Sequence, residues 1–261
     1  MRCAFSLVEL SIVLVILGLL TGGILAGQSL IRASEMRSVV TDYSRFTTAT
    51  QTFRDKYFAL PGDFREATRI WQLQTATNCQ NNSGASVALP GACDGNSNGL
   101  LEGGGVVGAA SEQFQFWRHL VLAGLVEGTY TGQTGPVTSS NGVAGTNIPR
   151  SRVNGIAGWN AVNFDMGTTN HPNWSNGNYG NSLWLAGSWP GGGTSPYYFV
   201  LKAEEVWNID TKLDDGKPQQ GKLWAIHWDD CTSAANAAAT NGEYDLSNST
   251  INCALVFKNQ F

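Results

Sequence analysis

The stretch that decides the fold is Phe5-Ser6-Leu7-Val8-Glu9-Leu10-Ser11-Ile12-Val13-Leu14-Val15-Ile16-Leu17-Gly18-Leu19-Leu20-Thr21-Gly22-Gly23-Ile24-Leu25-Ala26-Gly27. It holds no Lys, Arg, Asp or His, and its single acid is Glu9. It is long enough to cross a bilayer as a helix, which takes about 20 residues. Arg2 precedes it; Arg32 and Arg37 follow. A cleaved secretory signal has a basic start, a shorter apolar run and a small-residue cleavage site. Here the basic start is one arginine and the run is long, so a retained anchor is the better reading. An acid at the centre of a membrane helix costs about 2.5–3.5 kcal/mol on insertion scales. Glu9 sits near one end, where its carboxylate can reach headgroups or meet a partner charge in an assembly.

Downstream the pattern becomes amphipathic. Val39, Tyr43, Phe46, Thr50, Phe53 and Tyr57 recur at steps of four and three, one face of a helix. Arg37, Asp42, Arg45, Arg54, Asp55 and Lys56 mostly fall off that stripe. With no proline before Pro61, the spacing predicts one helix from about Phe5 to Ala59, stopped at Leu60-Pro61-Gly62. Gly22-Gly23 is the place where such a helix could break. Asp63 is expected to cap a short helix from Phe64 to Trp71. Further helices are expected over Glu112–Ala123 and Leu201–Asp214, and strands over Lys222–Trp228 and Cys253–Lys258. Residues Tyr130 to Pro196, rich in Gly, Asn, Ser and Trp, read as long loops with short strands forming an exposed elaboration. The fold class is α+β.

Of 261 residues only 14% are charged, against about 25% in an average soluble protein. The net charge is −4 and no long basic run occurs, which speaks against a nucleic-acid-binding domain. Five cysteines are present: Cys3 before the apolar run, and Cys79, Cys93, Cys231 and Cys253 after it. Four cysteines allow three connectivities. The local pairs Cys79–Cys93 and Cys231–Cys253 are favoured, each closing a short loop in an oxidising compartment. The absence of a C-x-x-C pair speaks against zinc.

Ala4-Phe5-Ser6-Leu7-Val8-Glu9-Leu10, running on to Gly18, resembles the N-terminal signature of type IV pilins and type II secretion pseudopilins. The resemblance implies cleavage between Ala4 and Phe5 by a prepilin peptidase and methylation of the new Phe5 amine. It implies a leader of residues 1–4, an assembly helix over 5–29 and a globular domain over 30–261 that includes the lower half of the helix. That helix would pack its aromatic stripe on an antiparallel sheet. Cys3 would leave with the leader. Glu9 matches the family's glutamate implicated in pairing with the first amine of a neighbouring subunit. Ala4 departs from the family's usual glycine. Tyr57 to Phe64, with Ala67 and Trp71, resembles a segment of large prepilin-type proteins. Further implications are a homo-oligomeric filament, an inner-membrane platform protein and an assembly ATPase. The precursor would lie in the inner membrane, and the product in a periplasmic or cell-surface filament. A type II secretion pseudopilin and a membrane-tethered carbohydrate-binding or adhesive module are the rival readings.

Asp94, Asn96, Asn98, Leu100 and Glu102 resemble the start of a calcium loop, with side-chain oxygens at alternate positions followed by a backbone carbonyl. Position twelve is Gly105, so Glu102 or Glu112 would have to supply the missing carboxylate. Asp210 and Asp214 share a helix face beside Asp215; such a pair could bind a cation or serve as paired acids in an enzyme, and the plainer reading is a helix end followed by an Asp215-Gly216 turn. His119, His171 and His227 are scattered and read as packing residues. Trp159, Trp174, Trp184 and Trp189 suit either sugar stacking or a core. No G-x-S-x-G, H-E-x-x-H or P-loop occurs, so no enzyme activity is expected.

Overall fold

The computed structural model describes residues 7–72, 79, 91–103, 110–135, 142–165, 167, 176–187, 199–227, 231–233 and 241–261. The chain runs α1 (Leu7–Tyr57), α2 (Ala67–Trp71), α3 (Glu112–Leu122), β1 (Ala157–Asp165), β2 (Asn178–Gly187), α4 (Ala203–Leu213), β3 (Leu223–His227) and β4 (Cys253–Phe257). Helix α1 is continuous for 51 residues and passes through Gly22-Gly23 without a break. Its end is enforced: Phe58 takes a left-handed φ of 53°, and Pro61 then forbids helix. At Gly62 (φ 88°) a Cβ would stand 2.4 Å from the Glu112 carbonyl oxygen, so only glycine lets the chain turn against α3.

The four strands form one antiparallel sheet in the order β1-β2-β4-β3. Trp159 pairs with Leu185, Leu185 with Leu255, and Leu183 with Phe257. Alternation sends Trp159, Ala161, Leu183, Leu185, Leu255 and Phe257 into one large core. The stripe of α1 fills that core: Val39, Phe46, Thr50 and Phe53 are buried, with Tyr43 and Tyr57 partly so. Tyr43 stacks on Phe257 with ring centroids 4.2 Å apart. Phe46 lies edge-on between Trp117 of α3 at 4.8 Å and Trp159 of β1 at 5.7 Å. The opposite face buries Val162, Tyr179, Trp184, Ile226 and Val256.

Two expectations need correction. The stretch read as an exposed elaboration contains β1 and β2, the two longest strands, and both are buried over most of their length. Of the two readings open for the tryptophans, Trp159 and Trp184 take the core one. The short helix begins at Ala67 rather than Phe64, and Asp63 does not cap it. Asp63 instead accepts the amides of Asn98 (3.1 Å) and Gly99 (2.7 Å), because a buried carboxylate takes whichever donors the fold brings. Trp174, Trp189 and His171 lie outside the described residues.

Candidate functional site

Every large apolar side chain from Leu7 to Ile31 is half or more exposed. The most apolar 18-residue window of α1 has mean hydropathy 2.4, and none of it is buried. Full burial of one such side chain contributes about 1.5–3 kcal/mol, so this rod carries a large driving force toward lipid or protein. Ser11, Thr21 and Ser29 turn their hydroxyls back onto helix carbonyls at 2.9 Å, which keeps the surface apolar. Glu9 lies exposed in the first turn, where the positive end of the helix dipole favours an acid. Ala4 and Phe5 lie outside the described residues. The segment is long and apolar enough to cross a membrane, and its place near the N-terminus suits an anchor or a signal sequence.

Arg32 marks where the rod joins the head. Its guanidinium grips Glu205 of α4 through two bonds (2.5 and 2.6 Å), Glu35 at 2.8 Å and the Val153 carbonyl at 2.9 Å. The Glu205 hydrogen bond raises the Arg32 pKa, against the opposing effect of burial. Glu205 also accepts the Lys202 amide at 2.9 Å, which starts α4. An arginine at an apolar boundary was visible in the sequence; its partner, 173 residues away, was not.

The cysteines pair as expected. Cys79–Cys93 and Cys231–Cys253 are disulfides, with Cα atoms 5.1 and 5.4 Å apart.

The loop 94–102 is brought together only in part. Both Asp94 oxygens take Thr68 groups, its amide and its hydroxyl, at 2.8 Å, so Asp94 holds the start of α2. Asn96 accepts the Asn98 amide and Asn98 accepts the Leu100 amide, each at 2.9 Å. The Asn96 side chain donates to Glu102 at 2.6 Å. Glu112, at the start of α3, reaches the loop and accepts the amides of Asn96 (2.9 Å) and Glu102 (3.1 Å). Burial pushes the Glu112 carboxyl up to about 7 against those two bonds, with Asp63 and Glu102 adding to the rise. Asn96, Asn98, Asp63 and Glu112, and Glu102 through Oε2, thus all accept hydrogen bonds from the chain. Asn181 of β2 completes the clamp, accepting the Leu101 amide at 2.9 Å and donating to the Gly99 carbonyl at 2.8 Å. Sequence reading missed Asn181, because an asparagine inside a strand gives no local signal.

No family model, curated protein or solved structure matches this chain.

His119 is a packing residue, as expected, but a strongly constrained one. It is fully buried on α3; its Nδ1 accepts the Gly62 amide at 2.9 Å and its Nε2 lies 2.9 Å from the Cys93 carbonyl. The neutral ring with its proton on Nε2 satisfies both contacts. Burial lowers its pKa to about 4, against the Cys93 carbonyl and with Arg118 adding to the fall.

Asp210 is also fully buried and accepts the Tyr244 hydroxyl at 2.7 Å. Burial pushes its carboxyl up to about 6; Tyr244 and the Gly216 amide oppose the rise, while Asp215 and Asp214 add to it. Among the described residues no hydrogen bond of good geometry reaches Oδ1. A cleft of about 670 Å³ opens beside the end of α1, lined by Arg54, Asp55, Phe58, Asp63, Asn181 and Phe261 among others. Its lining includes no histidine or cysteine.

Proposed function

We propose that this chain is a structural subunit of a type IV pilus-like filament, anchored in a membrane before assembly and packed through α1 afterwards. The observation that carries the reading is the exposed apolar rod. One unbroken helix leaves a window of mean hydropathy 2.4 wholly uncovered, while its other half is locked into a disulfide-bonded α+β head. Such a rod is stable in lipid, or in a bundle of its own copies where apolar faces cover one another. In such a bundle Glu9 faces a low-dielectric surrounding, where a neighbour's Phe5 ammonium is a strong partner and an unmatched charge is costly. That pairing sets the axial register between subunits. A prepilin peptidase would free the Phe5 amine by cutting after Ala4, and a platform protein with its ATPase would extract the subunits.

Peptide mapping of the mature N-terminus should find methylated Phe5. Glu9→Ala should leave the subunit in the membrane fraction while surface filaments disappear from electron micrographs. Normal filaments from the Glu9→Ala variant, or an uncut Met1 in the native protein, would refute the reading.

A further inference from the structure

We propose that Asp210, Asp214 and Asp215 form a binding site for one hard divalent cation, of calcium's size, at the C-terminal end of α4. The three carboxylates can each place an oxygen within 4.8 Å of the other two. Oxygens around one calcium ion lie at about 2.3–2.6 Å from it, so a common shell permits separations of about 4.8 Å; a magnesium shell, at about 2.0–2.1 Å, is tighter.

A group of acids alone does not make a site, and the decisive observation is Asp210. It is fully buried, its Oδ2 takes the Tyr244 hydroxyl at 2.7 Å, and among the described residues no hydrogen bond of good geometry reaches its Oδ1. A buried carboxylate oxygen left without a donor is costly, and native folds rarely tolerate one. The other two acids repeat the half-satisfied arrangement. One oxygen of Asp214 accepts the amides of Lys222 and Leu223, the latter at 2.9 Å. One oxygen of Asp215 accepts the Lys217 amide at 2.8 Å. Each carboxylate is thus oriented by the chain through one oxygen, and among the described residues no hydrogen bond of good geometry holds the other. Outer hydrogen bonds that fix the direction of ligating groups are the usual support of a metal site.

No basic side chain among the described residues forms an ion pair with the three acids. Lys217, on the same loop, gives its ammonium to Glu243 at 2.6 Å. The last turn of α4 adds its own negative end, which favours a cation there. Asp215 is exposed, so water can enter and complete the coordination shell.

The test uses the full chain in detergent micelles, stripped with chelator and titrated with calcium chloride by calorimetry. Terbium luminescence is a parallel readout, since Tyr244 bonds directly to a ligand and can sensitise the ion. The wild type should bind calcium, and calcium should quench terbium emission excited through tyrosine. Asp215→Asn, on the exposed loop, should bind one ion fewer or weaken that site at least tenfold, while Glu102→Gln should leave it unchanged. Asp210→Asn should also lose the site, yet in chelator it should melt no lower than wild type, because it removes an uncompensated buried charge. No calcium heat and no terbium emission from the wild type would overturn the proposal. So would undiminished binding by Asp215→Asn, or loss of that ion in Glu102→Gln alone.

Discussion

His119→Gln should change how stability depends on pH, with a sign and size fixed by the buried ring. The folded-state pKa is about 4, against about 6.5 in an unfolded chain. Between those values the unfolded chain binds the extra proton, so the contribution of His119 is complete above about pH 6.5 and falls as pH drops toward 4. At pH 4.5 about 2.5 kcal/mol of it should be gone, since each pKa unit is worth about 1.4 kcal/mol. Protonating Nδ1 also sets a proton against the Gly62 amide that now donates to it. The wild-type profile alone will not show this cleanly. Glu112 and Asp210 have raised pKa values, about 7 and about 6, so their contributions run the other way and are lost as pH rises through those values. The difference between wild type and variant isolates the histidine. Urea unfolding in micelles at pH 7.5 and 4.5 should show His119→Gln clearly less stable at the higher pH. The gap should shrink by about 2.5 kcal/mol at the lower pH. A gap constant to within about 0.5 kcal/mol, or an NMR titration placing the ring near 6.5, would refute the reasoning.

Phe46→Ala should cost about 3–5 kcal/mol in the same unfolding assay, because the ring sits fully buried between Trp117 and Trp159. Replacing Cys231 and Cys253 together with alanine should cost about 3 kcal/mol, read as a lower unfolding midpoint, since their bridge closes a 22-residue separation. Arg32→Ala should change global stability by only about 1 kcal/mol, because the site is partly solvated. It should, however, speed hydrogen exchange at the amides around residues 32–36 and at the start of α4. Unchanged exchange there would mean that the rod is held to the head by packing alone.

The helices were legible because their signals are local. The stripe from Val39 to Tyr57 survives in the sequence at its full spacing, and α3 and α4 lie within two residues of their expected ends. Strands β3 and β4 were legible from their short apolar runs. Strands β1 and β2 were not, since their glycines and asparagines depress strand propensity and burial on both faces removes the alternation. What holds them is cross-strand pairing, such as Trp159 with Leu185, a property of two distant segments. The acidic loops show the same division. The Asx turns at Asn96 and Asn98 follow from neighbouring residues, whereas the Asp63 and Asn181 clamps come from elsewhere in the chain. The Asp210 group was visible as spacing, but the burial of Asp210 and its bond to Tyr244 come from packing across the chain.

The order β1-β2-β4-β3 imposes a schedule on biogenesis. A chain emerging N-terminus first can zip the β1–β2 hairpin early, but β3 has no neighbour to dock on until β4 arrives and slides between them. During that wait two strand edges stand open to other chains. The thiol of Cys231 likewise waits for Cys253, which β4 itself delivers, so sheet closure and oxidation are completed by the same late strand.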